Sequence, residues 1–125
     1  MSEWLTRAVL IVAGMVHLLP ASGMLGARPL QKLYAVAITD PGLLLMLRHR
    51  ALLFGVLGAG LLAAVAVPSL RTAMLTAGLI STAGFCLLAL QAPELSAALR
   101  RVALIDIPIA LGLAVVLVHH LHSAT

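Results

Sequence analysis

The sequence predicts an all-α membrane protein: an antiparallel four-transmembrane-helix bundle with a short interfacial amphipathic helix after the first span. Two observations support this fold class. The 125 residues are 62% hydrophobic and only 10% charged, whereas charged residues make up about 25% of a typical soluble domain. The chain also contains four apolar stretches of about 20 residues, the length that crosses a bilayer. We therefore expect one transmembrane domain over residues 1–125.

The first span is predicted over residues 4–25, with Trp4 in the headgroup region. Pro20 marks a kink or a stop near its end, because proline lacks the N–H that continues a helix. The connector that follows repeats apolar residues at the spacing of one helix face, which predicts a short helix lying in the interface. These residues are Leu30, Leu33, Tyr34, Ala37 and Ile38.

The second span is predicted over residues 43–67. Asp40 precedes it as an N-cap, and Pro41 takes the first helical position. Residues 43–47 are either interfacial or the first submerged part of the same helix. Small residues four apart, Gly55, Ala59 and Ala63, are typical of closely packed membrane helices.

The third and fourth spans are predicted over residues 72–90 and 102–118. A tight turn at Pro68 precedes the third span, and a polar connector from Ala92 to Arg101 separates it from the fourth. The apolar stretch after Arg7 is interpreted as a retained span and not as a cleaved signal peptide, because three further spans follow.

Lys and Arg are unevenly distributed between the two ends of the predicted spans, which predicts orientation. Positive residues favour the cytoplasmic side, so both termini should lie outside, in a multi-pass protein of the bacterial inner membrane. The first and third connectors hold Arg28, Lys32, Arg48, Arg50, Arg100 and Arg101, whereas the N-terminus and the second connector hold Arg7 and Arg71.

The net charge of +4 and the pI near 10.7 do not indicate nucleic-acid binding. The basic residues flank apolar runs, and Tyr34 is the one aromatic residue outside those runs that could stack on a base. The expected partners are the lipid bilayer and an amphiphilic ligand.

Depth along the spans predicts one polar cluster. His17 lies thirteen residues past Trp4, roughly 20 Å down a helix, and Asp106 lies four residues past Val102, roughly 6 Å up from the other side. The basic triplet Arg48, His49 and Arg50 enters at the same inner leaflet. We therefore predict a ligand-binding cluster formed by His17, Arg48, His49, Arg50 and Asp106.

Asp106 is the most informative member of this cluster. An ionised carboxylate within hydrocarbon costs several kcal/mol on the lower estimates, so it should face the bundle and have a partner. Arg48 or Arg50 is the natural partner, since a guanidinium can donate two hydrogen bonds to one carboxylate. Such a pair would either fix the second span to the fourth or line a polar pocket for a lipid head group, a quinone or another amphiphile.

Other chemistry has little support in the sequence. Cys86 is the single cysteine, so no intramolecular disulfide can form, and it is interpreted as a small apolar residue. Ser81 and Thr82 are predicted to have no base within reach. The C-terminal histidines 119, 120 and 122 have no cysteine or carboxylate nearby to complete a metal site. The different depths of His17 and His119 argue against a haem between them, and the sequence leaves the cofactor unknown.

Three segments carry a resemblance to a known group of proteins. They read L-Y-A-V…D-P-G-L-L-L-M-L-R-H-R-A-L-L-F-G-V-L-G, then S-T-A-G-F, then L-R-R-V-A-L-I-D-I-P. Together they resemble small four-helix bacterial inner-membrane proteins of unknown function, loosely related to DoxX-like proteins. Some members carry an automatic label as phosphopantetheine adenylyltransferase, but the H-x-G-H motif of that soluble enzyme is absent here. The resemblance implies a fold and an inner-membrane location.

Three classes of function remain open at this point. The first is a binding or accessory membrane protein with a polar inner-leaflet pocket. The second is a small membrane oxidoreductase or enzyme subunit that acts on a lipid-soluble substrate, although the chain lacks the cysteine pair that thiol chemistry needs. The third is a structural subunit. The sequence leaves open whether the chain forms a homo-oligomer or joins a partner subunit.

Overall fold

The computed structural model describes residues 2–123, and every regular element in that range is helical. The α-helices are α1 (Glu3–Leu18), α2 (Ala27–Tyr34), α3 (Pro41–Ala66), α4 (Arg71–Gln91) and α5 (Ala97–Ser123). Four stretches in this range are long and apolar enough to cross a membrane: Glu3–Leu25, Pro41–Ala66, Pro68–Gln91 and Ala97–Ser123. The predicted all-α class with four helices of membrane-spanning length is therefore confirmed.

A proline lies in the 3₁₀ segment that follows each of two helices, α1 and α3. α1 ends at Leu18, and a 3₁₀ helix with Pro20 in its first turn covers Leu19–Leu25. Gly26 then adopts a φ of 149°, a left-handed conformation that glycine takes without steric strain. After α3, Pro68 opens the 3₁₀ turn Pro68–Leu70 that leads into α4.

α2 is shorter than the apolar spacing predicts. It ends at Tyr34 because Ala35 turns into a left-handed conformation with φ 51°. Ala37 and Ile38 therefore follow outside the helix, yet Ile38 is still buried and packs with Leu30 and Tyr34. The short helix and the segment after it therefore contribute to the same apolar cluster.

α3 begins as its sequence predicts. The Asp40 carboxylate accepts a hydrogen bond of 2.6 Å from the Leu43 N–H, and Pro41 is the first helical residue. Residues 43–47 belong to the same continuous helix as the apolar core of the span.

α5 begins earlier than its apolar run. Ser96 Oγ accepts a hydrogen bond from the Leu99 N–H and donates one to the Tyr34 carbonyl, each at 3.2 Å. Ser96 thus caps α5 and ties it to the end of α2. As a result, Arg100 and Arg101 lie in the first turns of α5 and not in a connector, contrary to the prediction.

α1 and α3 approach each other closely at two glycines. A Cβ placed on Gly58 would lie 2.8 Å from the Gly14 carbonyl oxygen, and one on Gly14 would lie 2.8 Å from Leu62 Cγ. Ala59 and Ala63 of the predicted small-residue stripe are instead exposed. The close contact therefore uses the neighbouring face of α3, where Gly58 and Ala64 are buried.

An ion pair that the sequence analysis did not predict joins the ends of three helices. The buried Arg71 guanidinium donates to both Glu3 carboxylate oxygens, at 2.6 and 3.1 Å, and to the carbonyls of Ala64 and Val65. The orientation prediction placed the N-terminus, where Glu3 lies, on the same side as the connector with Arg71, and this was the one sign of the pair in the sequence. This pair connects the start of α1 to the end of α3 and the start of α4.

The interior consists of two apolar clusters, and the outer faces of the helices are apolar as well. The larger cluster includes Leu10, Leu61, Leu75 and Leu113, all fully buried, and the smaller one contains Leu30, Tyr34 and Ile38. Leucine, isoleucine and valine side chains are exposed along each long helix. Contiguous apolar surface of this extent matches hydrocarbon better than water.

Candidate ligand-binding site

A cavity of about 410 Å³ lies beside the smaller apolar cluster, among α1, α2, α3, α4 and α5. Its size is within the usual range for small-molecule sites, and its walls are mostly apolar. Seven polar or charged side chains also line it: His17, Lys32, Tyr34, Arg50, Ser81, Arg101 and Asp106. His17, Arg50 and Asp106 were predicted to lie at similar depth on three different spans, and the structure brings these three to one cavity.

His17 is held in one orientation because each of its ring nitrogens takes part in a hydrogen bond. Nδ1 lies 2.8 Å from the Ala13 carbonyl oxygen, and Nε2 lies 3.2 Å from Ser81 Oγ. Because the carbonyl can only accept, Nδ1 carries the proton, and the Nε2 of a neutral ring then accepts from the Ser81 hydroxyl. The prediction that no base reaches Ser81 is therefore wrong. The serine and the histidine were 64 residues apart, and the rotation of α4 was not evident from the sequence.

Arg50 is surrounded by aromatic rings from three helices. Its guanidinium carbon lies 5.9 Å from the ring centroid of Tyr34, 4.9 Å from that of Phe54 and 5.5 Å from that of Phe85. These are three of the four aromatic residues in the chain. Cations attract aromatic faces at such distances, so the rings hold the Arg50 charge in place at the cavity wall. This cluster of rings was missed because the three aromatic residues are spread over α2, α3 and α4.

Asp106 lines the same cavity, but the predicted ion pair does not form. Among residues 2–123, no ion pair within 4.0 Å joins Asp106 to Arg48 or Arg50. The reason is that each arginine has other contacts: Arg50 packs against the rings, and Arg48 Nε donates 2.8 Å to the Met24 carbonyl. Asp106 interacts electrostatically with His17 and Arg50 at longer range.

Two of the predicted site residues lie elsewhere. Arg48 and His49 are exposed, and neither is among the residues that line the cavity. Successive helical residues point about 100° apart, so residues 48 and 50 face nearly opposite sides. A three-residue basic run in a helix can therefore place only one member in a given cavity, and here that member is Arg50.

Besides Ser81, three further polar residues of the cavity were not predicted as site residues. Lys32 on α2 and Arg101 on α5 add two cations, and Tyr34 adds a phenol. Burial raises the pKa of Tyr34, an effect that Arg50 opposes and Asp106 reinforces, so the phenol remains a hydrogen-bond donor at neutral pH. In the sequence, Lys32 and Arg101 contributed only to the prediction of membrane orientation.

The other polar candidates lie outside this cavity. His119, His120 and His122 belong to the end of α5, and His122 Nδ1 lies 2.8 Å from the Val118 carbonyl. Cys86 is partly buried, and its thiol donates 3.6 Å to the Ala103 carbonyl. Neither feature adds a ligand-binding group to the cavity.

Comparisons of the chain with models of known families, with curated proteins and with solved structures found no match. The resemblance to DoxX-like proteins therefore stays a prediction. Chemically, the cavity offers cations, a fixed imidazole and a phenol next to apolar walls, which suits a molecule with one polar and one apolar end.

Proposed function

We propose that this chain is a binding or accessory protein of the bacterial inner membrane that holds an amphiphile with an anionic head group. The observation that carries the proposal is the composition of the cavity: Lys32, Arg50 and Arg101 line it together with apolar side chains. Lysine and arginine bind phosphate and carboxylate groups through charge-assisted hydrogen bonds. The apolar walls would receive the rest of the molecule.

The charge balance of the cavity favours an anionic head over a neutral one. Three cationic side chains line the cavity together with a single carboxylate, that of Asp106. Excess positive charge in a cavity with low-dielectric walls attracts anions. A quinone lacks the negative charge that would use all three cations, although Tyr34 could donate a hydrogen bond to its carbonyl.

We also propose an arrangement in the membrane. Contacts between Glu3 and Arg71 at one end, and between Arg48 and Met24 at the other, support antiparallel α1 and α3. The strongly amphipathic helix α2 would lie in the cytoplasmic interface, where Lys32 would contact phosphate head groups. Both termini would lie outside.

The test is the binding of hexadecyl phosphate to the purified protein in a neutral detergent. Lys32→Gln and Arg101→Gln should each weaken binding about tenfold, the equivalent of about 1.4 kcal/mol, because each removes a charged donor from the head group. Isothermal titration calorimetry measures the affinity. Mass spectrometry of small molecules that co-purify with the wild-type protein would identify the natural ligand.

Arg100→Gln is the matched control, because Arg100 precedes Arg101 in the same helix but does not line the cavity. It should bind like the wild type. Equal loss in Arg100→Gln and Arg101→Gln would show only a general charge effect. Equally tight binding of hexadecyltrimethylammonium would contradict an anion-selective site.

A second candidate function is an enzyme that acts on a lipid-soluble ester, and the hydrogen bond between His17 and Ser81 favours it. A serine whose hydroxyl donates to an imidazole can attack a carbonyl carbon while the imidazole takes its proton, and the alcohol then leaves with that proton. Covalent labelling of Ser81 by a fluorophosphonate, lost in His17→Gln, would favour this reading. The third class, a structural subunit, depended on the Arg–Asp pair that does not form.

A further inference from the structure

A second cavity of about 480 Å³ adjoins the polar cavity. Arg50, Phe54 and Ser81 line both, so these three side chains form the wall that the two cavities share. The remaining lining of the second cavity is apolar, from residues of α4, the connector that follows it and the start of α5. These residues are Ile80, Gly84, Phe85, Leu88, Ala89, Ala92, Leu95 and Leu99.

The two cavities differ in the number of charged side chains that line them. Among the described residues that line the second cavity, Arg50 alone is charged. Its guanidinium is held by Tyr34, Phe54 and Phe85, and Arg50 also lines the polar cavity, where Lys32 and Arg101 lie. An anionic group at Arg50 would therefore have cations on one side of it and hydrocarbon walls on the other.

We infer that the two cavities form one site for an amphiphile with a phosphate-type head and a single hydrocarbon chain. The head lies among Lys32, Arg50 and Arg101, and the chain passes the shared wall into the apolar cavity beside Gly84. This inference rests on the proposed function and adds to it the class of ligand and the path of its chain.

Gly84 provides a direct way to test that path. A Cβ added at Gly84 meets no heavy atom within 4 Å, so a larger side chain there starts in open space on the wall of the second cavity. Gly112, on α5, is the matched control. A Cβ at Gly112 meets only Val9 at an ordinary 3.6 Å, and the residue lines a different apolar groove, between α1 and α5.

The experiment compares octyl phosphate with hexadecyl phosphate on the purified protein in a neutral detergent. Gly84→Leu should weaken binding of the long chain about tenfold and leave the short chain almost unchanged, because only the long chain reaches the blocked cavity. Gly112→Leu should change neither affinity. Leu88→Trp provides a second block from an exposed position, in case the glycine variant does not fold.

The outcomes separate this inference from the proposed function. If wild-type protein binds neither phosphate, the proposed function fails. If it binds both, and Gly84→Leu and Leu88→Trp leave the long-chain affinity unchanged or lower both affinities equally, the chain does not enter the second cavity and the inference is overturned. Loss confined to the long chain supports it.

Discussion

At the scale of single residues, Arg50 illustrates how this protein accommodates a charge without a carboxylate partner. Three rings replace the ion pair that Asp106 was expected to provide. The attraction depends on the guanidinium plane lying against the rings, which an ammonium group cannot reproduce in the same way. The neighbouring Arg48 makes a single hydrogen bond to a carbonyl instead.

Arg50→Lys should therefore destabilise the protein although it conserves the charge. We expect a loss of about 1–2 kcal/mol in the free energy of unfolding, the size of partly desolvated cation–π contacts. Thermal or denaturant unfolding in detergent, followed by circular dichroism, measures it. Arg48→Lys is the control and should cost less, because Arg48 is exposed. Equal losses in the two variants would show that the rings do not stabilise the arginine.

Helix geometry predicts the depth of the site residues but not the direction in which their side chains face. Depth follows from a fixed rise per residue, so His17, Arg50 and Asp106 could be brought together from the sequence. The direction in which a side chain faces depends on how its helix is rotated relative to its neighbours. The sequence does not give that rotation, so the hydrogen bond between His17 and Ser81 was not predicted. The sequence could have shown that Arg48 and Arg50 do not both enter one cavity, since residues two apart lie on nearly opposite helix faces.

At the scale of elements, the crossing of α1 and α3 sets the position of His17 against the rest of the bundle. Gly14 and Gly58 allow the two backbones to approach, and His17 follows one turn after Gly14 on the same helix. Close backbone contact through small residues is a main source of helix association in lipid. The sequence predicted this type of contact but placed it on the wrong face of α3.

Gly58→Ala should separate these helices and destabilise the bundle by about 1–3 kcal/mol, the usual cost of overpacking. The added methyl group would meet the Gly14 carbonyl and Leu18, neither of which can move without shifting α1. Gly84→Ala, at an open position of α4, is the control and should be neutral or slightly stabilising because alanine favours helix. Thermal unfolding of both variants in the same detergent makes the comparison, and similar melting temperatures would contradict the proposed crossing contact.

Element boundaries were predicted well where a proline or a cap marks them and poorly elsewhere. Asp40 with Pro41 marks the start of α3, and Pro20 the end of α1. The start of α5 was missed because its cap, Ser96, lies within a polar stretch that resembles a connector. The end of α2 was missed because alanine at position 35 gives no sign of a left-handed conformation.

At the scale of the whole molecule, the proposed orientation places the polar cavity at the cytoplasmic leaflet. A membrane-impermeant maleimide applied to spheroplasts tests this arrangement in a Cys86→Ala background. We expect Ser2→Cys, at the exposed start of the chain, to react in intact spheroplasts, and Gln31→Cys, exposed on α2, to react only after lysis. The reverse pattern would invert the orientation and place the cavity at the opposite leaflet.

The contact between Glu3 and Arg71 has a consequence for biosynthesis. The two residues are 68 positions apart, so the pair cannot form until α3 has been made and the start of α4 has left the ribosome. Until then α1 lacks the partner that its Glu3 carboxylate contacts in the folded protein. This contact of α1 is thus made only once the start of α4 is available.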